Sequence, residues 1–297
     1  MYKKLLLIYN PVSGKAQIKS QLADIIEIYA NNDYTVTVHP TKCKNDGYEF
    51  IKEHASEYDV LSICGGDGMF NEAISGLMCI EKVNRPHVAY LPSGSTNDFA
   101  GTVGLPVNVL QAAKMVTEGK PFLCDAGQLN NMYFAYVAAF GAFTAVSYDT
   151  SQDFKNIFGH FAYILEGLRS LPSIKPIRMK VSFDNNVIED EFILGMVTNS
   201  LQVGGIKFNL GTAISLNDGM FEVLLVKKPQ NAAGYQTIIS AFLAQSIDKS
   251  DDIISFKASK ITFESETPTS WTLDGEFGGE TTNALISNHT RAFSVII

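Results

Sequence analysis

Along the first 127 residues, short apolar runs alternate with stretches in which apolar positions recur every three to four residues. The runs at 4–9, 34–38, 59–63 and 87–91 have the length of buried strands, and each precedes a segment of helical period, near 16–31, 47–57, 70–79 and 107–118. In the first of these segments Ile18, Leu22, Ile25, Ile26 and Tyr29 share one side, as in a helix laid against a sheet. Strands alternating with helices predict an α/β N-terminal domain, residues 1–127, with a mostly parallel sheet.

From about residue 128 the period shortens to two. Ile177, Met179, Val181 and Phe183 alternate with Arg178, Lys180 and Ser182, Asp184-Asn185-Asn186 offers a turn, and 187–198 returns as a strand. Further strands are expected at 213–216, 220–227, 259–264, 269–273 and 283–287, with helices near 155–170 and 231–245. Residues 128–290 therefore read as an antiparallel β-sandwich domain carrying helices. No low-complexity linker separates the halves, so the junction is short and the cleft between the domains is the expected substrate site.

Composition narrows the classes. The chain is 46% apolar and 18% charged, ordinary for a soluble globular protein, and its net charge of −8 argues against a nucleic-acid partner, which needs a basic face. The longest apolar stretch, 133–146, is too short to span a bilayer and contains Gly141, so no transmembrane segment is expected. Met1 to Lys4 and five apolar residues run straight into Asn10-Pro11, which is no signal peptide, and a cytoplasmic protein is expected. The four cysteines lack C-x-x-C spacing and the five histidines lack metal-ligand spacing, so packed thiols and no zinc are expected.

The candidate chemistry lies in three loops, each leaving a buried-looking strand for a helix. Cys64-Gly65-Gly66-Asp67-Gly68 is the most informative. Glycines let successive N–H groups converge on an anion at a helix N-terminus, while Asp67 would repel that anion unless a cation lay between them. The combination points to metal-bound nucleotide; a tight turn with a solvated aspartate is the alternative. Asn10-Pro11-Val12-Ser13-Gly14-Lys15 and Pro92-Ser93-Gly94-Ser95-Thr96-Asn97-Asp98 follow the first and fourth strands in the same way. Three such loops at strand carboxyl ends match the crevice where open parallel sheets bind ligands.

Asn-Pro-x-Ser-Gly, Gly-Gly-Asp-Gly followed by Asn71-Glu72, Pro-x-Gly-x-x-Asn-Asp, and later Asp274-Gly275-Glu276 occur in the order in which they stand in the diacylglycerol kinase catalytic family. The chain resembles that family, which includes sphingosine and ceramide kinases and soluble bacterial lipid kinases, over almost its whole length. Met69 stands where the family usually has Thr, and Ser95 where it usually has Thr. The resemblance implies a diacylglycerol kinase-like phosphotransferase of phospholipid biosynthesis, with ATP as co-substrate and Mg2+ as cofactor. It implies a nucleotide site at Asn10, Pro11, Val12, Ser13, Gly14, Thr41, Gly65, Gly66, Asp67, Gly68, Met69, Phe70, Asn71, Glu72 and Ser95. Asp67 and Asp98 would act on the catalytic magnesium, Asp125 matches another acidic position, and Glu276 would take the acceptor proton with Asp274 in support. The Ser215 to Met220 segment repeats a structural magnesium site: one carboxylate, Asp218, with main-chain carbonyls of Ser215 and Met220.

The same resemblance implies that the terminal strand, 291–297, packs back on the first domain, that the lipid is met at the inner face of a membrane, and that a homodimer forms. A lipid surface would need a local basic patch, for which Lys15, Lys155, Arg169, Lys175, Arg178 and Lys180 are candidates. Residues Tyr133 to Phe143 serve either core packing or an acyl groove. Two other readings stay open. An NAD kinase-like small-molecule kinase shares Gly-Gly-Asp-Gly, whereas Asn-Pro-x-Ser-Gly and Asp-Gly-Glu argue for a lipid acceptor. A non-catalytic lipid-binding regulator with a decayed site rests on Met69 alone, against intact Asp67, Asp98 and Glu276.

Overall fold

The structure is a computed structural model that describes residues 2–12, 18–142, 171–200, 202–203, 206–207, 215–244 and 250–297. The helix expected at 155–170 and most of the strand expected at 213–216 lie outside the described residues. The chain divides into two compact units, Met1–Ala126 with Thr290–Ile297, and Gly127–His289.

In the first unit β1 (Lys3–Tyr9), β2 (Tyr34–Pro40), β3 (Val60–Gly65) and β4 (His87–Pro92) pair in parallel in the order β2-β1-β3-β4. Helices α1 (Ile18–Ala30), α2 (Asp46–His54), α3 (Asp67–Met78), α4 (Asp98–Val103) and α5 (Val109–Glu118) follow the strands. Leu5 to Ile8 and Val60 to Gly65 are buried without a break, because a parallel strand covered on both faces has no solvent side. The chain leaves β1 towards one edge and β3 towards the other. Right-handed crossovers then put α1 and α5, which pack together, on one face and α2 and α3 on the other. The carboxyl ends of β1 and β3 thus form the switch point of the sheet, where loops diverge and a crevice opens.

The second unit begins within β5 (Pro121–Leu129) and continues through β6 (Met132–Phe134), β7 (Val137–Gly141), β8 (Ile177–Phe183), β9 (Asn186–Thr198), β10 (Gln202–Val203), β11 (Ile206–Lys207) and β12 (Phe221–Lys227). Helix α6 (Ala232–Leu243) and strands β13 (Ile253–Ala258), β14 (Lys260–Leu273) and β15 (Glu276–Ile296) complete it, the last residues of β15 belonging to the first unit. The pairing is antiparallel, in the order β13-β12-β9-β7-β14-β15, with β8 joining β9 and β14. The long strands β9 and β14 pair with β7 at one end and with β8 at the other, so each serves two layers. The segments expected at 259–264 and 269–273 are one strand, because a register shift between Glu264 and Thr269 bends β14 without ending it.

Phe140, Phe263 and Trp271 form the centre of this core, with ring centroids 5.0 to 5.9 Å apart and edge-on. A Cβ at Gly195 would lie 2.0 Å from the Phe140 ring, so that glycine leaves the ring its space. Phe134 and Phe140 are fully buried, which gives both to core packing rather than to an acyl groove. Tyr133 meets His289 edge-on, and Phe143 lies outside the described residues.

In the first unit Val295 pairs in parallel with Val88 of β4, which adds the chain terminus to the sheet edge. Arg85 secures it: the guanidinium donates to Ala292 O at 2.5 Å and, from the same plane, to Ile80 O and Met78 O.

Candidate active site

The first-unit loops converge on the switch point. The Asn10 amide donates to Cys64 O at 3.1 Å, and Asn10 Oδ1 accepts the Val12 amide at 3.0 Å. Thr41, one residue beyond β2, donates its amide to Tyr9 O at 2.9 Å. Asn10, Pro11, Val12 and Thr41 therefore stand at strand carboxyl ends beside Gly65; Ser13, Gly14 and Lys15 lie outside the described residues.

At Gly66 and Gly94 the glycine loop and the Pro92–Asp98 loop meet backbone to backbone. A Cβ on Gly94 would sit 2.5 Å from Gly66 Cα, and one on Gly66 would sit 3.1 Å from Gly94 Cα. The Ser93 amide donates to Gly65 O at 2.8 Å, closing the pair. Helix α3 starts at Asp67, three residues before the apolar period shows it, because Gly66 to Gly68 contribute backbone and no apolar face. Its first turn, partly exposed, holds the positive end of the helix beside these loops.

Asp67 and Asn97 lock the loops together. Asp67 Oδ2 accepts the Asn97 amide at 2.8 Å, while the Asn97 side chain accepts from Gly94 N and donates to Gly94 O, both at 2.9 Å. Asn97 has φ 54°, a left-handed conformation that asparagine tolerates better than most residues. It is an organising residue that the candidate set omits; its signal is an asparagine two residues past Ser95 in a loop that must turn sharply. Asp98, 3% exposed, opens α4. Burial raises the Tyr90 hydroxyl well above its ordinary range, and the charges of Asp67 and Asp98 raise it further. Burial pushes the Cys64 thiol up to about 12, which keeps it protonated and unreactive.

Phe70 packs between Tyr90 and Phe99, at 4.6 and 4.3 Å, and Met69 is buried in a slot between Gly47 and Gly65. A Cβ at Gly47 would lie 2.8 Å from Met69 Cε, so that glycine leaves room for the thioether where the family usually has Thr, while one at Gly65 would lie 2.5 Å from Met69 Cβ. Glu72 Oε1 accepts the Asn45 amide at the start of α2, at 2.9 Å. Ser95 is exposed in its loop. Asp125 is fully buried and accepts the Arg291 amide at 2.6 Å, which binds it to the returning terminal strand.

In the second unit Asp274-Gly275 forms a two-residue hairpin loop between β14 and β15, with φ 51° and 87° and Leu273 opposite Glu276. Asp274 is 3% exposed, and its carboxylate accepts the amides of Ala135, Tyr136 and Val137 at 2.6, 3.0 and 2.9 Å. Its own amide donates to Val137 O at 2.9 Å. The aspartate therefore fixes the turn, and Glu276 stands exposed at its end.

Around the 215–220 segment, Asp218 Oδ1 accepts the Met220 amide at 3.0 Å, and Oδ2 lies 3.5 Å from Lys257 Nζ. Lys257 also lies 2.9 Å from Glu222, which is almost fully buried. Among the described residues no three His, Cys, Asp or Glu side chains gather into a metal site. An oxygen set of one carboxylate, main-chain carbonyls and water still fits magnesium, which keeps several waters. Of the candidate basic patch, Arg178 pairs with Glu189 and Glu266, and Lys180 with Glu264, so both charges are matched locally. Lys155 and Arg169 lie outside the described residues. No helix among the described residues is long and apolar enough to cross a membrane.

A parallel α/β unit with glycine-rich loops and acidic residues at its switch point, followed by an antiparallel β unit, is a plan that suits a nucleotide-dependent phosphotransferase. The chain belongs to the diacylglycerol kinase family: residues 4–129 match the diacylglycerol kinase catalytic domain, and 137–296 match the YegS C-terminal NAD kinase beta sandwich-like domain. It is 35% identical over 279 residues to a diacylglycerol kinase of Bacillus subtilis (strain 168), covering 93% of this chain and 91% of that protein. A diacylglycerol kinase of Staphylococcus aureus (strain bovine RF122 / ET3-1) is 35% identical over 284 residues, 94% of this chain and 88% of its own. Two crystal structures of diacylglycerol kinase type from Bacillus anthracis str. Sterne superpose with TM-scores of 0.85 and 0.77, at 28% and 27% identity. They cover 99% of this chain and 95% and 97% of their own.

Proposed function

We propose that the protein transfers the γ-phosphoryl group of ATP to the free hydroxyl of diacylglycerol, giving phosphatidic acid and ADP. The supporting observation is the Gly66–Gly94 contact locked by Asp67 and Asn97, a side-chain-free cradle at a helix N-terminus. Phosphoryl transfer needs little covalent help from a protein; it needs the phosphate positioned, its charge balanced and the acceptor oriented. Amides of the 10–14, 66–68 and 94–95 loops bind and orient the phosphates. Asp67 and Asp98 would hold magnesium, which supplies charge neutralisation when bound, and hard carboxylate oxygens suit it. Glu276 accepts the hydroxyl proton as the acceptor oxygen forms its bond to phosphorus and the β–γ bridging oxygen leaves with ADP. Asp274 holds the turn that presents Glu276. Because diacylglycerol resides in a bilayer, the protein works at a membrane surface.

The test is incubation with γ-labelled ATP, magnesium and mixed micelles of diacylglycerol, sphingosine or a polyprenol, with NAD in a parallel reaction. Label in phosphatidic acid is the expected product. Label in NADP alone would move the protein to the NAD kinase-like reading.

A further inference from the structure

Within the second unit a run of hydrogen bonds joins the segment bearing Asp218 to the turn bearing Glu276. Leu216 O accepts from Asn199 Nδ2 at 3.4 Å, the Asn199 amide donates to Tyr136 O at 2.9 Å, and the Tyr136 amide donates to Asp274 Oδ1 at 3.0 Å. Thr198 Oγ1 adds a second bond to the Tyr136 carbonyl at 2.8 Å. Asn199 is 2%, Tyr136 3% and Asp274 3% exposed. The frame around them is stiff, because β7 lies between β9 and β14, with Val137 opposite Thr198 and Ala138 opposite Leu273. Burying a side-chain amide is costly unless its hydrogen bonds repay the desolvation, and an apolar residue would fill the end of β9 without that cost. Asn199, unlike such a residue, supplies a tie to Leu216.

We propose that Asn199 is a positioning residue: it couples the 215–220 segment to the Ala135–Val137 corner and, through Asp274, to the Gly275–Glu276 turn. A change at Asp218 then alters how firmly Glu276 is held. The consequence for turnover rests on the kinase reading, whereas the coupling belongs to the chain itself.

Amide hydrogen exchange on the full chain in EDTA, resolved to single residues, tests it. In Asn199→Leu and in Asp218→Ala, the Ala135, Tyr136 and Val137 amides should exchange about tenfold faster, roughly what one hydrogen bond is worth, with β1 and β3 unchanged. The double variant should be no faster than the faster single one. Magnesium should slow these amides in the parent protein and not in Asn199→Leu. Unchanged exchange at 135–137 in Asp218→Ala, or effects that multiply in the double variant, would overturn the coupling. Should Asn199→Leu not fold, Asp218→Ala and the magnesium titration of the parent protein decide the matter, since both act on one end of the run. In kinetics Asn199→Leu should lower kcat and leave KM for ATP unchanged. Coupled exchange with full turnover by Glu276→Gln would sink the role of Glu276 and leave the coupling standing; uncoupled exchange with an inactive Glu276→Gln would do the reverse.

Discussion

Gly66 and Gly94 act through what they lack. With backbones this close, any side chain at Gly94 must displace the Gly66 main chain, which has no flexible end to give way. Overpacking of this kind costs about 1–3 kcal/mol, and here the cost falls on the loop geometry that would face phosphate. Gly94→Ala and Gly66→Val should therefore fold and lose ATP affinity, as titration calorimetry alongside thermal melting would reveal. Normal ATP affinity in a folded Gly66→Val protein would remove the nucleotide site from this loop. The sequence shows these glycines and Asp67 plainly, since glycine after a buried run has few other uses. It does not show that Asn97 ties the two loops together, because that bond links residues thirty positions apart. Nor does it show that Glu72 and Asp125 bind main-chain amides, since those partners lie 27 and 166 positions away.

Among the elements, the hairpin at Asp274 carries the clearest energetic argument. Removing its carboxylate leaves three buried amides without their acceptor, at about 1–3 kcal/mol for each group left unsatisfied, less whatever relaxation or water recovers. Asp274→Ala should shift the urea midpoint by an amount worth roughly 3 kcal/mol or more. Asp274→Asn should lose less, because its amide oxygen still accepts; equal losses would mean that charge and acceptor count do not matter at this corner.

The start of α2 makes a pH-dependent contribution. Asp46 accepts from His39 at 2.9 Å and from the Lys42 amide at 3.0 Å, and the His39 hydrogen bond, the largest influence, holds its carboxyl below the ordinary 3.8. The folded protein thus binds this proton less readily than the unfolded chain. The stabilisation is complete above the unfolded value and fades as pH falls through the folded one. The urea midpoint of Asp46→Asn should trail the parent at about pH 5 and approach it at about pH 3; a gap independent of pH would contradict the assignment.

The first four strands and helices α1, α2, α3 and α5 are legible because their periods are distinct, whereas α4, at six residues, is too short to show one. Strand β7 is not legible, since it lies in a continuous apolar stretch without alternation, and α3 starts early because glycine carries no hydropathy signal.

At the scale of the whole molecule the chain combines a switch-point crevice in one unit with a rigidly held carboxylate turn in the other, on a fold shared with diacylglycerol kinases. The order of its motifs makes the family visible in the sequence. The network through Asn199 is invisible there, because its bonds run largely through main chain and cross three strands. In the proposed reaction Glu276 accepts the proton of the diacylglycerol hydroxyl. The most direct measurement is the rate of phosphatidic acid formation by the parent protein and by Glu276→Gln, with ATP affinity measured on both. A fall in kcat on the order of 100- to 10,000-fold is expected, with ATP affinity nearly unchanged. Near-parent turnover by Glu276→Gln, with Asp67→Asn inactive while still binding magnesium, would contradict it and give the proton to Asp67.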